Sequence, residues 1–177
     1  MTRESSPPSS GVPVLRPLVV EKEYVFASFG SLAVVITREP PTILSVRAFG
    51  QSVDGLLREY PKVGMLIAPR APRPSLSADA TRAVLREWQR LEPHSYGAVI
   101  LFRSSGFAGA IQRSLVTTVM NMRRGGIPLK VSANPYEASE FLARIEPALG
   151  PARPLGSALQ VFLQPYDAAE APHSMSG

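Results

Sequence analysis

Between residues 98 and 146 the hydrophobic period of the chain changes repeatedly, and this restricts the fold more than any other feature. Residues 98–102 (Ala-Val-Ile-Leu-Phe) form an unbroken apolar run, the pattern of a strand buried on both faces. Arg103-Ser104-Ser105-Gly106 interrupts the run. From Phe107, apolar residues recur every three or four positions through Ile111, Leu115, Val119 and Met122, which predicts an amphipathic helix. Gly125-Gly126 ends it, because glycine enters the left-handed cap without steric cost. Residues 129–132 read as a second short strand. Asn134-Pro135-Tyr136-Glu137 then has the form of a helix start, with Asn as cap, Pro in the first turn and Glu reaching back to the cap N–H. Ala138, Phe141, Leu142 and Ile145 supply that helix with a dry face, and Pro147 stops it. Strands separated by helices pair in parallel, so the expectation is a layered α/β sheet.

The same periodicities extend toward the amino terminus. Residues 24–29 and 32–37 read as two strands of a hairpin joined at Gly30-Ser31. After Pro40-Pro41, the spacing of Ile43, Val46, Phe49, Val53, Leu56 and Tyr60 predicts a helix closed by Pro61. Gly50 and Gly55 weaken it by about 1 kcal/mol each, which allows for a break near Gly50. Residues 63–68 form the next strand, and residues 69–76 a stiff basic loop rich in proline. Ser77 is the expected N-cap of the following helix, whose dry face is Val84, Leu85, Trp88 and Leu91. The domain is expected over residues 18–149. Residues 1–17 read as a Pro/Ser-rich tail, and residues 150–177 as a linker and mostly flexible tail in which residues 158–163 pack only locally.

Composition narrows the chemistry. The 177 residues include no cysteine, so disulfides, thiolate metal sites and cysteine nucleophiles are excluded. His94 and His173 are too few to build a metal cluster. The opening residues lack the apolar core of a signal peptide, and no apolar run approaches the roughly 20 residues that span a bilayer, so a cytoplasmic location is expected. The net charge of +5 comes from scattered arginines. Without interleaved aromatics they read as a solvated surface, and a nucleic-acid partner is not expected. Carboxylates such as Asp54, Glu59, Glu87 and Glu137 form no acid/base pair, and no Ser-His-Asp order is present. No enzyme activity and no cofactor are expected.

A hairpin followed by alternating helices and strands, with a last short strand leading into a capped helix, resembles the SpoIIAA-like or STAS-domain superfamily, in particular the SpoIIAA-like proteins of myxobacteria. The likeness spans about residues 24–147. It is carried by Met65-Leu66-Ile67-Ala68 with its proline-rich loop, the segment from Arg103 to Arg124, and Pro128-Leu129-Lys130-Val131 leading to Glu137-Ala138-Ser139-Glu140-Phe141-Leu142. The resemblance implies a mixed sheet with about four helices and a regulatory, non-enzymatic domain. Such a domain binds a kinase, scaffold or regulator and is switched by phosphorylation at the start of the helix after the third strand. In this chain that region is residues 73–77, which makes Ser75 and Ser77 the positional candidates; the family's Asp-Ser-Ser-Gly signature is not there, and Ala68-Pro69 stands where an acidic residue ends the strand.

Arg103, Ser104, Ser105 and Gly106 form a second candidate site, since a strand end followed by a helix start offers free N–H groups to an anion. The leading expectation is thus a protein-interaction module. The alternative is a binder of an apolar or anionic small ligand, such as a lipid, at the crevice where the strands end.

Overall fold

The structure is a computed structural model and describes residues 14–70, 77–102 and 126–168. Six strands, β1 (Arg16–Val20), β2 (Tyr24–Phe29), β3 (Leu32–Thr37), β4 (Val63–Pro69), β5 (Ser95–Leu101) and β6 (Leu129–Ser132), form one sheet in the order β1-β2-β3-β4-β5-β6. The first three pair antiparallel and β3 to β6 pair parallel, so the sheet is mixed. Four helices are described: α1 (Ile43–Leu57), α2 (Ala78–Leu91), α3 (Pro135–Ile145) and α4 (Ala152–Ala168). The helix expected over residues 107–122 lies outside the described residues.

Side chains alternate across a strand, and here both alternating sets are apolar because both faces are covered. Val25, Ala27, Leu32, Val34, Ile36, Leu66, Ala68, Val99 and Leu101 share a cluster with Ala138 and Leu142 of α3 and Leu155, Leu159 and Leu163 of α4. On the opposite face Ala33, Met65 and Ala98 pack with Val53 and Leu56 of α1 and Leu91 of α2. Trp88 lies half-buried against this second cluster, as its spacing predicts. The turn between β2 and β3 falls at Gly30, whose φ of +52° is a left-handed conformation that glycine accepts freely.

Helix α1 starts on a reciprocal cap: the Thr42 hydroxyl accepts the Ser45 N–H at 3.1 Å, and the Ser45 hydroxyl accepts the Thr42 N–H at 2.9 Å. The helix runs unbroken through both glycines. Gly50 is where α2 comes close, since a methyl group there would lie 2.0 Å from the Glu87 Oε1. Arg90 of α2 ties the two helices, reaching Asp54 of α1 at 2.7 Å and Glu87 at 2.5 Å. At α3 the Asn134 side chain accepts the Tyr136 N–H at 2.9 Å, as expected of a cap. Glu137 works differently from the expectation. The Asn134 N–H goes to the Ser132 hydroxyl at 3.0 Å, and that hydroxyl lies 2.9 Å from the Glu137 carboxylate as its donor. Serine bridges the two because a hydroxyl donates and accepts at once.

Two boundaries require correction. Residues 150–177 are not wholly linker and tail: Ala152–Ala168 is a helix whose Leu155, Leu159 and Leu163 are fully buried. Pro154 sits in its first turn, where the N–H it lacks has no intrahelical partner to lose. Gly156 lets α4 approach α3, since a Cβ there would lie 2.6 Å from Tyr136 Cδ1 and 2.9 Å from Ser139 Oγ. The sheet also begins earlier than residue 18, with β1 starting at Arg16 and Leu15 already in the core.

At the other end of the parallel strands, the Tyr96 ring fills the space left by Gly64, where a Cβ would meet ring atom Cε2 at 2.4 Å. Its phenol, 3.4 Å from the Ser31 hydroxyl, is pushed up to about 12, chiefly by burial, with the Glu146 charge adding to the rise. The Ser31 hydrogen bond and the Gly64 backbone oppose the rise. The folded chain therefore holds this proton more tightly than the unfolded chain, whose tyrosine titrates near 10.0. Stability is unaffected by this group below pH of about 10 and declines as pH rises from there through about 12. Tyr96→Phe is expected to remove that alkaline decline, and the absorbance titration of the folded protein to lose the phenol that ionises at about 12. An unchanged alkaline titration in the variant would contradict the assignment.

Candidate functional site at the carboxyl end of the sheet

Strands β3, β4, β5 and β6 are parallel and so end on one side of the sheet. Open α/β sheets bind ligands outside this edge, because the helices that follow the strands begin there. Thr37 and Pro69 are register partners at the ends of β3 and β4, which makes Arg38 and Arg70 the next residues on neighbouring strands. By alternation both lie on the face that carries Ile36 and Ala68, the face of α3 and α4.

Arg70 is buried, its side chain only 3% exposed. Its Nη1 donates to the Leu101 carbonyl at the end of β5, at 2.8 Å, and to the Pro69 carbonyl at 3.1 Å. Its Nε stands 2.6 Å from Asp167 Oδ1 in the last turn of α4, where the aspartate side chain is 45% exposed. The Arg70 backbone N–H extends the β3–β4 ladder to the Thr37 carbonyl at 2.7 Å. Arg38 lies with its guanidinium carbon 5.8 Å from the centroid of the Tyr166 ring, a cation–π arrangement, and donates from Nη2 to the Glu21 carbonyl. The Arg38 Nε is buried and has no hydrogen-bond partner among the described residues. Two adjacent arginines thus hold the carboxyl end of α4, the negative pole of its dipole. A buried guanidinium is tolerated only when carbonyls and carboxylates match its donors, and the Arg70 contacts do so.

Scattered arginines were expected to be solvated; Arg70 is not, because α4 folds back over the end of β4. Nothing local in the loop Pro69-Arg70-Ala71-Pro72 announces this burial. The usable signal lies more than eighty residues away in the spacing of Leu155, Leu159 and Leu163, which marks the covering helix.

Of the serine candidates, Ser77 is described and serves as the N-cap of α2: its exposed hydroxyl accepts the Ala80 N–H at 3.1 Å. Its carbonyl accepts the Thr81 hydroxyl at 3.0 Å, while Asp79 beside it pairs with Arg82. Ser75, Arg103, Ser104, Ser105 and Gly106 lie outside the described residues. His94 is exposed in a short 3-10 turn, and no cluster of three metal-ligating side chains is present among the described residues. No helix among the described residues is long and apolar enough to cross a membrane.

Among the described residues, the outer face at this edge carries an exposed apolar pair. Helices α1 and α2 follow β3 and β4, run side by side through Arg90, and therefore present their amino ends at the same edge of the sheet. Ile43 and Leu44 in the first turn of α1 are both exposed, Leu44 at 75%. Leu44 lies off the buried stripe of α1, whose spacing therefore carries no signal for it.

Tyr24, Phe26, Phe29 and Phe162 form no single aromatic patch, because the sheet divides them. Phe29 and Phe162 pack on the α4 side, whereas Tyr24 stacks on Phe26 at 4.6 Å and Phe26 meets Phe49 of α1 at 5.5 Å. Strand alternation separates Phe26 from Phe29. No family model matches this chain, and neither a curated protein nor a solved structure matches it.

Proposed function

We propose that the chain is a non-enzymatic protein-interaction module of the STAS or SpoIIAA-like type, docking a partner on the amino ends of α1 and α2. The observation that carries this reading is the exposed Ile43-Leu44 pair in the first turn of α1, at the same sheet edge as the Ser77 cap. An exposed leucine beside an isoleucine at a helix start has no part in the core, and clustered apolar exposure marks partner surfaces. The hairpin feeding sequential parallel strands agrees with the implied architecture. So does a serine cap on the helix after β4, the third strand counted from Tyr24. A phosphate on Ser77 would add about −1.5 to −2 charge at the positive end of α2. It would stabilise the helix start and change the charge of the docking edge together.

Affinity purification from the native cells tests this, using wild-type and Leu44→Asp chains with protein and lipid mass spectrometry on the same eluates. A protein partner present with the wild type and depleted about tenfold or more by the variant, equivalent to about 1.4 kcal/mol, is the expected result. Eluates in which only extractable small molecules follow the chain, unaffected by Leu44→Asp, would replace this reading with that of a ligand carrier.

A further inference from the structure

We propose that Arg38 and Arg70 form a binding site for an aromatic ring bearing an anionic group, an aryl phosphate in the simplest case, and that Tyr166 and Asp167 of α4 occupy this site in its absence. The inference goes beyond the docking reading and does not depend on it. Three observations support it. The first is the chemistry of the present occupant: Arg38 faces an aromatic ring at 5.8 Å and, on the adjacent strand, Arg70 faces a carboxylate at 2.6 Å. Arg38 and Arg70 follow register partners on adjacent strands and the groups they face belong to consecutive residues, so one small molecule with a ring and an anionic substituent offers the same pair of groups. Arginine suits both tasks, since its guanidinium stacks on rings and forks onto oxyanions.

The second observation is the donor left over. The Arg38 Nε is buried with no hydrogen-bond partner among the described residues, and a tyrosine ring cannot accept it as an oxyanion would. A phosphate has more acceptor oxygens than a carboxylate and can reach this donor while keeping the contact with Arg70. The third is the way the occupant is attached. Pro165 lies inside α4 immediately before Tyr166 and has no N–H for the Val161 carbonyl, so the last turn is missing a rung. That turn is held to the sheet by Arg38 and Arg70 through its side chains, and although the Asp167 side chain is 45% exposed its Oδ1 against Arg70 is buried, so a competing anion enters by displacing the turn. The site also lies where α/β sheets bind ligands, at the carboxyl ends of adjacent parallel strands.

Isothermal titration of the full chain with phenyl phosphate and, separately, inorganic phosphate tests the site. Asp167→Asn weakens the internal competitor, so phenyl phosphate is expected to bind that variant about tenfold or more tightly than wild type. Inorganic phosphate, which offers no ring to Arg38, should bind it more weakly than phenyl phosphate. The Asp167→Asn/Arg70→Gln double variant, in which both charges of the pair are removed together, should lose phenyl phosphate binding. The unaltered chain supplies a readout that depends on no variant: millimolar phenyl phosphate should speed amide hydrogen exchange at Tyr166 and Asp167. Binding that is no tighter in Asp167→Asn, binding that survives Arg70→Gln, or unchanged exchange at Tyr166 and Asp167 would each overturn the proposal. Equal affinity for the two phosphates would overturn the aromatic class of ligand.

Discussion

Leu159→Ala is expected to destabilise the protein by about 2–5 kcal/mol, the range for emptying a well-packed leucine site. Leu159 is fully buried between the sheet and α4, in a cluster with Val25, Val34, Leu66 and Leu142. Its neighbours belong to a β-sheet fixed by ladders and to a helix set by a cap, so they can collapse into the void only in part. Urea unfolding should show a lower midpoint with an unchanged slope, and heating should show a loss of about 2–4 °C per kcal/mol for a chain this long. Val161→Ala, two positions along the same helix and 69% exposed, is the control and should stay within about 0.5 kcal/mol of wild type. Equal effects at the two sites would mean that α4 does not form part of the core and that the carboxyl-terminal segment behaves as a tail after all.

The second large effect is expected at Arg70. Arg70→Ala deprives the Leu101 carbonyl of its 2.8 Å donor and Asp167 of its ionic partner. A buried carbonyl without a donor costs about 1–3 kcal/mol, and a fully buried ion pair broken on one side about 3–5 kcal/mol. The Asp167 side chain is 45% exposed, so the figure for a fully buried pair does not apply and the carbonyl dominates a total of about 2–3 kcal/mol. A double-mutant cycle with Asp167→Asn separates the contributions. The coupling energy should be about 0.5–3 kcal/mol, because the residues touch. A coupling near zero would show that the Asp167 contact adds nothing to the stability that Arg70 provides.

Much of the layout was readable because it is local. Strands β2 to β6 announced themselves as short apolar runs between turn residues, and α1, α2 and α3 by the step of three or four. Ser77 and Asn134 were identifiable as caps from side chains that accept a nearby N–H, and both do so. The misreadings share a cause: residues with a reputation for breaking structure occupy positions where they do no harm. Gly50 was read as a weak point and instead admits Glu87 and Arg90 against α1. Residues 150–154, with two prolines and a glycine, read as linker, although Pro154 sits in the first turn of α4; Gly156 at a helix crossing and Pro165 near the last turn are accommodated in the same way. Pro17 hid β1, an edge strand with a register irregularity between Pro17 and Val19, where a missing N–H is readily tolerated. The arginine cluster was illegible for a different reason. The burial of Arg70 depends on a helix that begins more than eighty positions later, and no window of sequence contains both.

The strand order has a consequence for how the molecule comes into being. Because β1 to β6 lie in space as they lie in sequence, a chain leaving the ribosome can add each strand to the free edge of the last, with no earlier gap to fill. One wall of the growing sheet stays greasy meanwhile, since Val25, Ala27 and Val34 are made well before Leu155, Leu159 and Leu163, which cover them. Nascent copies are therefore sticky on that wall until α4 emerges. Translation that stops short of α4 should yield not a trimmed domain but an aggregate.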